Sequence, residues 1–97
     1  MNIFDYITPK DGEDFTTLLE HKGITIKRIV SSDNIEPKSY MQEKDEWVVV
    51  LEGKAILEIE GKERKMSKGD YIFIPAKSEH KVIETKSGTL WLAICID

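Results

Sequence analysis

Between Glu46 and His80 the chain reads EWVVVLEGKAILEIEGKERKMSKGDYIFIPAKSEH, and no other stretch limits the possible fold as much. Two apolar runs, WVVVL and AILEI, flank Glu52-Gly53-Lys54. Glu60-Gly61-Lys62 makes a second break, Lys68-Gly69-Asp70 a third, and the run YIFI then leads to Pro75. Short runs of valine, isoleucine and aromatic residues bounded by glycine or proline are strands joined by tight turns. Gly53, Gly61 and Gly69 fall at the turns, and Gly53 and Gly61 are expected to need positive φ. Glu46 opens the block and His80 closes it, so these two residues are the first candidates for chemistry.

The flanks continue the pattern. Residues 1–14 mix apolar side chains with Pro9, Gly12 and acidic residues, which reads as an irregular arm with one helical turn near Asp11–Asp14. Phe15 to Glu20 is a first strand, and His21-Lys22-Gly23 is its turn. From Ile24 to Ser31 the residues alternate, with Ile24, Ile26 and Arg28 on one side and Thr25, Lys27 and Ile29 on the other. Which side faces inward stays open. Ser31 to Asn34 is turn chemistry, and Pro37 allows a short edge strand before Asp45. After the central block, His80, Val82 and Glu84 share one face of a strand, and TLWLAICI at 89–96 is apolar on both faces. Seven or eight strands with short turns make an all-β chain, closed as a barrel or packed as a sandwich.

At 97 residues the chain can bury one core, so a single domain is expected: the arm, then a barrel from 15 to 97. A formal net charge of -4, with acidic and basic residues interleaved, excludes nucleic acid as the main partner. No apolar run approaches the ~20 residues of a membrane helix, and the N-terminus lacks the features of a secretory signal. One cysteine, Cys95, cannot form an internal disulfide. A cytoplasmic protein is expected.

From Tyr40 to Glu84 the chain resembles a small single-domain cupin of the conserved-barrel type. The first motif of that family ends with a glutamate, six residues and a glycine, and Glu46 and Gly53 keep this spacing. The second runs glycine, five residues, proline, one residue, glycine, two residues, histidine; Gly69, Pro75 and His80 match, whereas Lys77 stands in place of the second glycine. Glu84 replaces the asparagine expected further on. The two histidines expected before Glu46 fall on Tyr40 and Gln42, or on Ser39 and Met41 in the alternative spacing, and neither register supplies one. The resemblance implies an antiparallel jelly-roll barrel. It says little of activity, because this fold carries many functions.

In the family, the histidines and the glutamate bind a divalent metal in the barrel mouth. Carried over, the resemblance implies a ligand site of Tyr40, Gln42, Glu46 and His80, with Gln42, Glu46 and His80 as a weak site for Fe, Mn, Ni, Zn or Cu. The alternative needs no metal: Glu46 shares strand parity with Val48 and Val50, so it points inward, where a carboxylate needs a partner such as His80. Met41 is a second candidate for the pocket mouth. His21 reads as a turn residue, Trp47 as an outward packing residue, and Cys95 as a small buried side chain or a soft ligand. The functional readings are a small-molecule-binding module, a metal-dependent dioxygenase, isomerase or decarboxylase of cupin type, and an accessory domain with a vestigial pocket.

WVVVL and LWLAICI need cover on both of their faces, and the barrel interior covers only one. A homodimer built on Trp47, Val49, Leu51 and the outer face of the last strand is expected, burying at least ~1,000 Å². If instead the arm folds over this patch, the protein is a monomer.

Overall fold

The computed structural model describes every residue from Met1 to Asp97 and contains eight strands and no helix, hence none long and apolar enough to cross a membrane. The strands are β1 (Glu13–His21), β2 (Ile24–Ser31), β3 (Asp45–Glu52), β4 (Lys54–Ile59), β5 (Lys62–Ser67), β6 (Tyr71–Ile74), β7 (His80–Thr85) and β8 (Thr89–Ile96). They form a five-stranded sheet in the order β1-β2-β8-β3-β6 and a three-stranded sheet in the order β5-β4-β7, every pair antiparallel. This is an all-β jelly roll. The tight turns lie where glycine breaks the apolar runs, and Gly53, Gly61 and Gly69 all have φ between 79° and 91°.

Val48, Val50, Ile74, Trp91 and Ala93 of the five-stranded sheet face Ala55, Leu57 and Met66 of the three-stranded sheet across the core. The register of β3 with β8 shows which side chains of WVVVL and LWLAICI face the core. Val48 pairs with Ala93 and Val50 with Trp91, so these residues point inward, and Trp47, Val49, Leu92 and Ile94 point outward.

Three local readings change. Asp11–Asp14 form no helical turn: Glu13 already belongs to β1, because its register with Ser31 extends the β1–β2 pair two residues beyond Phe15. The stretch from 35 to 44 makes only a single bridge, Tyr40 with His80, rather than an edge strand. In β7, Leu57 pairs with Val82 but Ile56 with Glu84, so a bulge at Ile83 switches the parity. Thr85 therefore points into the core and Glu84 into solvent, away from the face of His80.

The arm is tied to the outer face of the large sheet at one end. Arg28 Nη1 donates to the carbonyls of Ile3 (3.4 Å) and Asp5 (3.0 Å), and the Tyr6 hydroxyl donates to Gly88 O at 3.2 Å. Val30 and Leu90 point outward by register yet are buried at this end.

Candidate functional site

Glu46 lies on β3 between Ile74 of β6 and Cys95 of β8, on the inner face of the five-stranded sheet. His80 opens β7 opposite Ile59, on the three-stranded sheet. The connection from 32 to 44 spans the mouth between them. Tyr40 and His80 exchange both backbone hydrogen bonds, at 2.7 and 3.0 Å. The loop after Pro75 fixes the same connection: Lys77 N–H donates to Gln42 O at 2.7 Å, and Ala76 N–H donates to Asp45 Oδ1 at 2.8 Å. Lys77 makes its bond with φ at 63°, which is the physical reason a glycine suits this motif position.

Tyr40, Gln42, Glu46 and His80 line one cavity of about 120 Å³. Gln42 Nε2 donates to Glu46 Oε1 at 2.6 Å. A carboxylate only accepts, so the amide turns its NH₂ group toward Glu46 and not its oxygen. His80 Nδ1 lies 3.2 Å from Ser78 O; a carbonyl likewise only accepts, so Nδ1 is the donor in this contact. The His80 and Tyr40 rings stand 5.9 Å apart. The expected hydrogen bond between Glu46 and His80 does not form. The two are carried by different sheets, and Gln42, four residues before Glu46, takes up the carboxylate instead. Met41 points to solvent and does not line the cavity, and His21 is exposed at the end of β1.

Three further polar residues face the same cavity: Glu13, Lys27 and Cys95. Glu13 was hidden by its position in an apparent arm, and Lys27 by an alternation that left the inner side open. Its register with Ala93 places Lys27 inward. Cys95 shares the inner face with Trp91 and Ala93, as their common parity predicts, and is buried. Burial pushes the Cys95 thiol above its ordinary value and the nearby Glu46 charge adds to this, while Lys27 and Lys44 oppose it. At the cavity edge, Trp91 Nε1 donates to Ser31 Oγ at 2.9 Å, and the Ser31 hydroxyl donates to Glu13. Burial raises the Glu13 pKa above 4.5, and the Ser31 bond offsets part of that rise.

Imidazole and carboxylate are good ligands for divalent transition metals, and Glu46 and His80 supply one of each. The rest of the set does not fit a tightly held ion. Gln42 presents hydrogen rather than oxygen to Glu46, and that bond occupies a carboxylate oxygen. No three of the His, Cys, Asp and Glu side chains are grouped to hold a metal.

Two antiparallel sheets enclosing one apolar cavity with a polar mouth define a small jelly-roll barrel of the cupin class. Residues 32–96 match the Cupin domain family, so the chain belongs to that family. Among solved structures, it is similar to a Ralstonia eutropha protein provisionally named a mannose-6-phosphate isomerase. That match has 36% identity and a TM-score of 0.88, covering 100% of this chain and 96% of the other. KdgF from Halomonas sp. superposes with a TM-score of 0.80 at 17% identity, over 88% of this chain and 80% of its own. A cupin superfamily protein from Desulfitobacterium hafniense gives 0.81 at 16% identity, over 94% of this chain and 83% of its own. These last two likenesses speak for the fold alone. No curated protein matches the sequence.

Proposed function

We propose that this cupin is a binding barrel that takes one small organic molecule into its cavity, against Tyr40, Gln42, Glu46 and His80. The observation that carries this reading is the meeting of three separate segments around one apolar space. The 32–44 connection brings Tyr40 and Gln42, β3 brings Glu46, and β7 brings His80. Pockets for small molecules combine apolar walls with a few convergent polar groups. The cavity is smaller than the ~300–1,000 Å³ typical of drug-sized ligands, so the ligand is small. A divalent metal is at most a weak occupant of Gln42, Glu46 and His80, and elemental analysis of protein purified without a nickel column should find less than one ion per chain. The unpaired, buried Cys95 suits action in the cytoplasm.

The ligand reading is tested by thermal denaturation against a library of small metabolites. A true ligand at about a hundred times its Kd should raise the Tm of the parent by about 10 °C or more, and that of His80→Ala and Gln42→Ala by much less. Equal shifts in all three proteins, or no shift with any compound, would remove the reading.

We further propose that two copies pair through the outer face of the five-stranded sheet. The arm covers only the end near Val30 and Leu90. Beyond it Leu19, Ile24, Phe73 and Ile96 are exposed, beside Trp47 and Tyr71, whose rings lie 5.6 Å apart. Light scattering should give a dimeric parent and a monomeric or insoluble Trp47→Glu; a parent that stays at 11.1 kDa across micromolar concentrations would end this part of the proposal.

The isomerase name of the Ralstonia protein favours a second reading, an isomerase of a small oxygenated substrate. Glu46 and His80, facing one cavity from different sheets, would then be its proton-transfer groups. Turnover of hexose 6-phosphates that vanishes in Glu46→Gln would select this reading over simple binding.

A further inference from the structure

Lys27 is the residue that narrows the ligand class. Its register with Ala93 on one side and Thr17 on the other sets it on the inner face of β2, where it joins the cavity wall. The ion pairs of the protein are Lys44–Asp97, Lys68–Glu52 and Lys81–Glu58, and Lys27 takes part in none of them. The two carboxylates that share the cavity are engaged elsewhere: Glu46 accepts from Gln42, and Glu13 accepts from Ser31. Neither hydrogen bond removes the charge of its carboxylate, but no carboxylate oxygen lies within ion-pair distance of Lys27, so its half-buried ammonium keeps donors free for a further acceptor. Lys27 and Cys95 are diagonal neighbours on the inner face of the paired strands β2 and β8, and the ammonium group favours the Cys95 thiolate.

The remaining wall is hydrocarbon and aromatic. Phe15, Ile29, Val48, Leu57, Val82 and Trp91 line the same cavity as Lys27. Such a wall disfavours inorganic phosphate and polyhydroxy sugars, whose hydroxyls would lose water without gaining partners. It favours a short hydrocarbon or aromatic body carrying a single charged group.

Taking the cavity to be a binding site, as proposed above, we infer that its ligand is a small organic carboxylate. The carboxylate lies on Lys27 Nζ and the apolar body between the two sheets. A polar end faces Gln42 and His80, where a hydroxyl or carbonyl substituent finds hydrogen-bonding partners. Lys27 fixes the sign of the ligand's charge, and the mouth selects the substituent.

The test uses isothermal titration of the full-length protein with benzoate, 4-hydroxybenzoate, isovalerate, benzamide, inorganic phosphate and glucose 6-phosphate. Alkylation of Cys95 by iodoacetamide, followed in parallel, reports occupancy of the cavity, because Cys95 lines it. The carboxylates should bind the parent and slow alkylation. Lys27→Met should weaken them at least tenfold, Lys27→Arg should retain them, and benzamide should bind parent and Lys27→Met equally weakly. Circular dichroism of both variants checks that each is folded. If benzamide binds the parent as tightly as benzoate, or Lys27→Met keeps full affinity, the barrel binds small organic molecules but not through this cation, and only the carboxylate inference falls. If the phosphates bind and the carboxylates do not, the ligand class is wrong and the cation contact stands corrected to phosphate. If no compound binds or protects Cys95, the inference and the binding reading fall together.

Discussion

Gly53→Ala and Gly61→Ala are the same chemical change at positive φ, and the structure predicts unequal costs. Gly53 lies in the bend that passes from β3 to β4 and from one sheet to the other, and Gly61 in the β4–β5 hairpin. Gly53 has φ at 91° and Gly61 at 79°, so both alanines would sit in a region that costs an L-residue about 1–2 kcal/mol, partly offset by the stiffer unfolded chain. A Cβ on Gly61 meets nothing within 4 Å, which leaves a cost of about 1 kcal/mol. A Cβ on Gly53 would lie 2.5 Å from Thr89 Oγ1 and 2.7 Å from Thr89 Cα. The hydroxyl could swing aside, but the backbone cannot, so β8 must shift against the β3–β4 turn. Thr89 Oγ1 is also committed: it accepts from Lys54 N–H at 3.3 Å and donates to Lys86 O at 2.6 Å. Losing those bonds at a fully buried residue adds about 1 kcal/mol each. Gly53→Ala should therefore cost about 3–4 kcal/mol, a large part of the ~5–15 kcal/mol that holds a domain folded. Urea denaturation of parent and both variants measures this, with m unchanged so that the midpoints report stability alone. A difference below about 0.5 kcal/mol between the two variants would refute the contact argument, because φ alone would then explain both.

The other predictions concern charge and the arm. Because burial raises the Glu13 pKa, the folded chain holds this proton more tightly than the unfolded chain does. The resulting stability is complete below 4.5 and is lost as pH rises through the folded-state value, so the stability of Glu13→Gln minus that of the parent should grow from acid to neutral pH; a pH-independent difference in denaturant midpoints would contradict it. Cys95 should react with iodoacetamide far more slowly than a free thiol at neutral pH, faster in Glu46→Gln, which removes a charge that raises its pKa, and slower in Lys27→Met. Arg28→Ala should release the arm from the carbonyls of Ile3 and Asp5, exposing the first dozen residues to limited proteolysis at a stability cost of about 1–3 kcal/mol.

Much of the barrel was legible because its signals are local. Valine-rich runs broken by Gly53, Gly61 and Gly69 locate the strands from neighbouring residues alone, and β2 spans the Ile24 to Ser31 alternation. Glu46 was legible as an inward residue through its parity with Val48, and Cys95 through its parity with Trp91. The same reasoning failed at Glu84, where the bulge at Ile83 shifts the count by one and no local residue announces it. It also missed Glu13, whose strand character comes from pairing with Ser31, eighteen residues away.

The cavity's chemistry divides along the same line. Which residues carry charge and which strands carry them could be read along the chain, because side-chain direction on a strand repeats every two residues. Which groups become partners could not. Glu46 goes to Gln42 rather than His80 because the two sheets hold the carboxylate and the imidazole apart while the connection across the mouth folds back onto β3. Lys27 lines the cavity because β8 pairs with β2 in a register that puts Ala93 beside it. Local sequence sets the strands and their alternation; contacts between distant strands choose the inward face, the hydrogen-bond partners and the cation that lines the cavity.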